Sequence, residues 1–437
     1  MTEKKLEFQS AGNSSPSGFS EFVQRMNLSA FFQKYTMVIA LVAVTITFGI
    51  LSNWAILSSK NLTNLITENA YVFVLSTGML LCILTGGNID LSVGSVVCFT
   101  GAIGSILMTG GVAWYWAVLL MLVSGLAIGM FQGFWIAKIR VPAFIATLAG
   151  MYAFRGVASA ILNGQRGNIS NDVFLQLFGT TKTSYIPDVI KNIAPQLEAP
   201  FVAQGSFIQS LLLGVNSTKE FNLTCMCIGL AATLIFVLLK VRKILVQKKM
   251  GIAQSIPGQI VSTVLISLLL LWTSLILGYY RGIPMVLVWV GLVLGIYSYV
   301  TNKTAIGRHL YAVGGNEKAA ALSGIKTRNV FWFAYANIGL LAGLAGVLAA
   351  GYSKGVDPAT AGDGYEMDAI AACFIGGASA YGGIGRVSGM IIGAILMGII
   401  NKGMNLVGMA VNYQRVIKGL VLLLAVLFDV LSKRQKR

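Results

Sequence analysis

Thr304-Ala-Ile-Gly-Arg-His-Leu-Tyr-Ala-Val-Gly-Gly-Asn-Glu-Lys-Ala-Ala-Ala-Leu-Ser-Gly-Ile-Lys-Thr-Arg328 is a polar island between two apolar runs, and its reading decides the fold. It holds the only histidine, His309, and the basic residues Arg308, Lys318, Lys326 and Arg328, with Lys303 just before it. The island contains a short helix with readable ends. Asn316 can accept from orphan amides as N-cap, and Glu317 suits the positive first turn. Lys318 to Ser323 favour helix, and Gly324 can take the left-handed stop. A helix this short is marginal alone, because nucleation costs more than a few bonds return. Something must hold it: a neighbouring protein, or the two membrane helices it connects.

The apolar runs on either side are two of many. Of 437 residues, 56% are hydrophobic and only 11% charged, against about 25% charged in a soluble domain. Continuous apolar runs approach the roughly 20 residues that cross a bilayer. They fall at 36–57, 63–84, 92–109, 113–136, 142–163, 219–240, 258–279, 283–301, 329–352, 366–380, 388–405 and 413–431. The fold class is therefore all-α, a polytopic membrane helix bundle with about 10–12 spans. The runs at 92–109, 366–380 and 388–405 are short and Gly-rich, as expected of broken or re-entrant helices. Strands of a barrel would alternate, and these runs do not.

The net charge of +17 suggests a nucleic-acid partner only until it is placed along the chain. With the N-terminus inside and the runs alternating, 21 Lys and Arg fall on the inner side and 7 on the outer. That asymmetry is the positive-inside rule, so both ends and residues 302–328 are assigned to the cytoplasm, and no nucleic acid is implied. Residues 1–35 read as a cytoplasmic tail, with Phe19 to Phe32 a candidate interfacial helix, and 36–437 as the membrane domain. Residues 164–218 form the long outer loop, in which Phe207 to Leu213 is too short to cross. Lys240 to Lys249 is basic and amphipathic, suited to anionic membrane lipid. The five cysteines lie in apolar runs and read as small buried hydrophobes.

Polar residues inside or beside the runs are the candidates for function. Thr85-Gly-Gly-Asn-Ile-Asp-Leu-Ser-Val-Gly-Ser95 interrupts two runs. Asn88, Asp90 and Ser92 can cap the next helix or line a path at depth. Arg155 can line the path or snorkel outward. Glu68 is the carboxylate an ion-coupled carrier would need, although it sits near an outer edge. Asp357, Asp363, Glu366 and Asp368 make the most acidic stretch, either a solvated helix cap or an outer contact for a basic partner. Cys82-Ile-Leu-Thr-Gly-Gly87 echoes Cys373-Phe-Ile-Gly-Gly377, with Glu68 upstream of the first and Glu366 of the second, as in a duplicated carrier. No phosphate-binding loop occurs, and one histidine leaves no catalytic or metal-binding constellation. Catalytic residues, metal and bound cofactor are thus all read as none.

Three stretches together resemble the bacterial sugar permeases of the ribose/xylose/galactose ATP-binding-cassette importers. They are 85–95, Gly307 to Ile325, and Gly364-Tyr-Glu-Met-Asp-Ala-Ile-Ala-Ala-Cys-Phe-Ile-Gly-Gly377, and the likeness runs from about residue 36 to the end. Twelve apparent runs and the tail after Lys418 lean toward the xylose or multiple-monosaccharide branch. The resemblance implies a permease homodimer, a separate ATPase subunit that holds the ATP, and an extracytoplasmic sugar-binding protein. It implies that the inner loop seats the ATPase, through Gly307, Arg308, His309, Gly314, Gly315, Asn316, Glu317, Ala320, Leu322, Ser323 and Gly324. Glu68, Asn88, Asp90, Ser92 and Arg155 remain candidates for the path, and the four outer carboxylates for the binding protein. The alternatives are an ion-coupled secondary sugar transporter and, less supported by the residues, a membrane-embedded enzyme.

Overall fold

The computed structural model describes residues 28–193, 196, 221–250 and 256–434. The N-terminal tail to residue 27 and the run from Phe207 to Leu213 lie outside them. Each of the twelve apolar runs contains helix. In chain order the helices are α1 (Leu28–Leu51), α2 (Ser59–Glu68), α3 (Ala70–Leu84), α4 (Val93–Thr109), α5 (Trp114–Phe134) and α6 (Ala143–Ile161). Then come α7 (Asp172–Phe178), α8 (Val189–Ile193), α9 (Leu223–Lys249), α10 (Ile256–Gly278) and α11 (Met285–Lys303). The chain closes with α12 (Ala305–Gly315), α13 (Glu317–Leu322), α14 (Thr327–Ser353), α15 (Tyr365–Ile375), α16 (Val387–Leu406) and α17 (Val411–Arg434).

Among the described residues, seven helices are long and apolar enough to cross a membrane, and eight if α2 and α3, bent by 43° at Asn69, make one span. Helices α1 and α17, at 24 residues each, have the length as well. Two of the Gly-rich runs are only part-spans. Helix α4 has 17 residues and a buried start, and α15 has 11, about 16 Å against a hydrocarbon core of about 30 Å. The third, α16, is a full 20-residue helix. This is a polytopic helical membrane protein.

Helix α14 is the post of the bundle. It is 27 residues long, and most of it is buried against α3, α4 and α5. Its contact with α5 is backbone on backbone. A Cβ on Gly125 would lie 2.5 Å from the Gly339 carbonyl oxygen, and one on Gly129 2.3 Å from that of Tyr335. Glycine every fourth residue on α5 (Gly125, Gly129, Gly133) removes the side chains that would hold the helices apart. In lipid this matters, since dispersion and close packing replace the hydrophobic drive between helices.

Helices α9 and α10 form a hairpin at the edge, with few of their residues buried along their apolar lengths. The basic stretch Lys240 to Lys249 is the continuation of α9, not a separate element. Asp188 ties this hairpin to the segment after α6. Its carboxylate accepts from the Leu223 and Thr224 amides, the Thr224 hydroxyl and the Lys191 amide. Of the cysteines, Cys82, Cys98, Cys225 and Cys373 are buried, but Cys227 is exposed. Two residues along α9 from Cys225 turns it to the opposite side, so it is not the buried hydrophobe the run suggested.

Candidate functional site

The two Gly-rich turns of the internal echo meet. Helix α3 ends at Leu84 and α15 at Ile375, and the turns that follow interlock. A Cβ on Gly87 would lie 1.9 Å from the Ala380 carbonyl oxygen, and one on Gly382 2.4 Å from Gly86 Cα. Both Gly87 (φ 77°) and Gly382 (φ 83°) also have left-handed backbones, so conformation and space both demand glycine. The Gly383 amide donates to the Leu84 carbonyl at 3.1 Å, closing the junction.

The polar island docks on that junction. Its short helix is α13, with the Asn316 Oδ1 accepting from the Ala319 amide at 3.0 Å and Gly324 at φ 83°. A second helix, α12, precedes it, one not placed from the sequence. Thr304 caps α12 through the Gly307 amide at 3.3 Å. Gly314 is needed for contact: a Cβ there would lie 1.7 Å from the Leu84 carbonyl oxygen. Tyr311 donates its hydroxyl to the Gly385 carbonyl at 2.8 Å. Thus α12 touches both turns, through Gly314 and Tyr311.

The other island residues divide by burial. Gly307 and Ala320 are buried, and Glu317 is occupied by Arg140 at 2.7 Å and by the Thr327 hydroxyl at 3.1 Å. Arg308, His309, Gly315, Asn316, Leu322, Ser323 and Gly324 face outward. Leu322 is 91% exposed. A groove of about 460 Å³ lies near it, lined by Ile306, His309, Lys326 and Phe333 among others.

In the loop after α3, Asp90 is buried and accepts from the Ser92 amide at 2.8 Å and its hydroxyl at 2.6 Å. Ser92 in turn meets Gln132 of α5. Asn88 is half-buried and donates weakly to Thr85 at 3.4 Å. Asp90 and Ser92 therefore shape the start of α4 inside the protein. Arg155 neither snorkels free nor stands alone. Its guanidinium donates to the carbonyls of Pro358 and Ala361, clamping the loop that leads to α15. That loop dips so far that Gly362 meets Gly94, where a Cβ would be 2.0 Å from the neighbouring carbonyl. The starts of two part-spans, α4 and α15, thus meet inside the bundle.

Near the opposite end from the island, five helices (α2, α3, α15, α16 and α17) converge on a polar cluster. Glu68 pairs with Lys402 at 2.8 Å, both largely buried. Asp368 has no exposure and accepts, on one oxygen, from Lys418 at 2.9 Å, Tyr71 at 2.7 Å and Asn401 at 3.1 Å. Asn401 also donates to Asn69 at 3.1 Å. The Tyr71 and Tyr365 rings stack with centroids 3.4 Å apart. Of the four acidic residues of the outer stretch, Asp368 is thus placed inside, out of reach of a docking protein, and Glu366 is partly covered beside Gly94. Asp363 is exposed and pairs with Arg415, and Asp357 is half-buried, receiving the Ala359 amide. Lys402, Asn401 and Tyr71 were not legible as members. Their only signal was polar residues within apolar runs.

Residues 61–426 match the family described as branched-chain amino acid transport system / permease component. The chain belongs to this permease family. The permease is similar to the xylose transport system permease protein of Escherichia coli (strain K12), with 32% identity over 99% of this chain and 98% of the relative. It is also similar to the ribose import permease proteins of Escherichia coli (strain K12) and Bacillus subtilis (strain 168), each 30% identical. These alignments cover 91% and 93% of this chain, and 94% and 95% of those proteins. No solved structure matches the permease.

Proposed function

We propose that the permease is the membrane-spanning half of an ATP-driven importer of a monosaccharide, with xylose or ribose as the substrate its relatives favour. The observation that carries this reading is the seat of α12 and α13. An exposed helix pair, carrying Arg308 and Lys318 and flanked by Lys303, Lys326 and Arg328, is braced on the junction where α3 and α15 end. Force applied there reaches both part-span hairpins at once. The ATP would be held by a separate ATPase subunit that contacts Arg308, His309, Leu322, Ser323 and Gly324, while Gly307, Gly314, Gly315, Asn316, Glu317 and Ala320 shape the seat. On this reading the island faces the cytoplasm of a bacterium, and residues 164–218 face the other side.

A second copy of the chain is part of the same proposal. Arg155, Asp363 and Arg415 are grouped on one face, and Arg415 and Asp363 are 63% and 45% exposed. Exposed charge at membrane depth is costly in lipid, so a partner protein or water must cover it. A homodimer around a shared path does both. Asp357 is then the carboxylate left for a sugar-binding protein outside. A secondary transporter is less well supported, because its candidate carboxylate, Glu68, is already neutralised by Lys402.

The test is uptake of labelled D-xylose and D-ribose into proteoliposomes holding the permease with its ATPase and binding protein. The expected result is accumulation that requires ATP. Accumulation under a proton gradient alone, indifferent to ATP, would overturn the proposal.

A further inference from the structure

Two buried acceptors in the polar cluster have nothing to accept from. Asp368 Oδ1 and Asn401 Oδ1 have no hydrogen-bond partner, although Asp368 is fully buried and Asn401 is 8% exposed. Every donor near Asp368 serves its other oxygen. Buried polar atoms are almost always satisfied, so an orphan pair marks a place where another molecule supplies donors. The cluster also limits what that molecule can be. Lys402 offsets Glu68 and Lys418 offsets Asp368, which leaves no net charge to draw an ion. The stacked Tyr71 and Tyr365 offer an apolar ring face. A neutral ligand with several hydroxyl donors and an apolar face is a sugar.

A cavity lies next to the cluster, with Asp368 and Asn401 outside its lining. A cavity of about 220 Å³ is walled by Arg166, Tyr352, Asp357, Thr360 and Tyr365, so Tyr365 belongs to both. At about 30 Å³ per water it has room for roughly seven waters, the scale of one monosaccharide. Helix α15, which carries Asp368, also ends on the turn that the island braces.

We propose that Asp368 and Asn401 form the floor of a monosaccharide subsite within the permease, entered past Tyr352 and Tyr365. This rests on the reading of the chain as a sugar permease and adds a contact between the permease and its cargo. The sugar hydroxyls donate to the two bare oxygens, and the stacked tyrosines carry the ring face.

The experiment uses the complete transporter in proteoliposomes. Turnover of D-xylose is compared with that of its 2-, 3- and 4-deoxy analogues, each delivered by saturated binding protein. One lost hydrogen bond is expected to slow one analogue at least about fivefold in the wild type. Asn401→Ala should bring D-xylose down to that analogue's rate and leave the analogue itself unchanged. Equal slowing of all sugars would show a structural prop, and no effect would show a water site only. Either result overturns the subsite, as does a wild type that carries every analogue equally well. Should Asn401→Ala fail to assemble, Tyr365→Phe keeps the ring stack and removes the hydroxyl at the cavity wall. It is expected to slow some of these sugars more than others, and proportional slowing overturns the proposal. A wild type that carries no sugar with ATP present is a different failure, that of the parent reading.

Discussion

At the scale of single residues, the buried ion pairs set the largest sensitivities. Removing one partner of a buried pair costs about 3–5 kcal/mol, because the other charge is left without compensation. Lys402→Met should therefore destabilise the permease by roughly 3 kcal/mol, while adding Glu68→Gln to it should recover most of the loss. Thermal unfolding of the single and double variants in detergent checks this, and two additive losses would deny the pairing. Glycine positions follow a different rule. Gly314→Ala drives a methyl group into the Leu84 carbonyl, and backbone cannot yield as a side chain does. The variant is expected to insert normally and to lose most ATP-driven uptake, as measured in vesicles. Little of this was readable beforehand. Glu68 and Lys402 are separated by 334 residues and appear in the sequence only as charges within or beside apolar runs.

Secondary-structure elements show why some features were legible and others were not. Helix α13 announced itself because its signals are local: Asn316 caps it and Gly324 stops it. Helix α12 did not, because Gly314 looks like a breaker until the foot of α3 is placed against it. The echo between Cys82–Gly87 and Cys373–Gly377 was visible as a pattern, but not that the two turns would interlock. The α5–α14 crossing had a readable signal in Gly125, Gly129 and Gly133. Gly129→Leu should cost at least about 1–3 kcal/mol through overpacking, seen as a lower unfolding temperature. Gly291→Leu is the control, since a side chain there meets open space. In the segment after α7, partial burial raises the Asp188 carboxyl, yet its bonds to Lys191, Thr224 and Leu223 outweigh this and hold it below the usual carboxylate range. The sign follows from that direction. The stabilisation is complete above about pH 3.9 and is lost as pH falls through the lowered folded value. Protection of the Leu223 and Thr224 amides from hydrogen exchange should therefore fall only at the acid end for the wild type. In Asp188→Ala, which loses a cap worth about 1 kcal/mol, it should be low throughout. Equal protection in both proteins would count against the cap.

The whole molecule is a bundle whose Gly-rich turns meet at one end and whose buried polar cluster sits toward the other. Its class was legible from composition and run length, because lipid leaves a chain few choices. The path was not, because it depends on which charges face one another across the bundle. Leu322→Asp places a charge on the most exposed apolar side chain of α13 and is expected to abolish co-purification of the ATPase while membrane insertion is retained. Normal association would remove the island from its assigned role. On the proposed reading this chain guides a solute, and its energy would come from a partner bound at the island. The direct measurement is solute accumulation against a gradient in sealed vesicles that hold the permease alone, supplied in turn with ATP and with a proton gradient. No uphill accumulation is predicted under either condition until the ATPase is restored, and uphill accumulation by the permease alone would contradict the account.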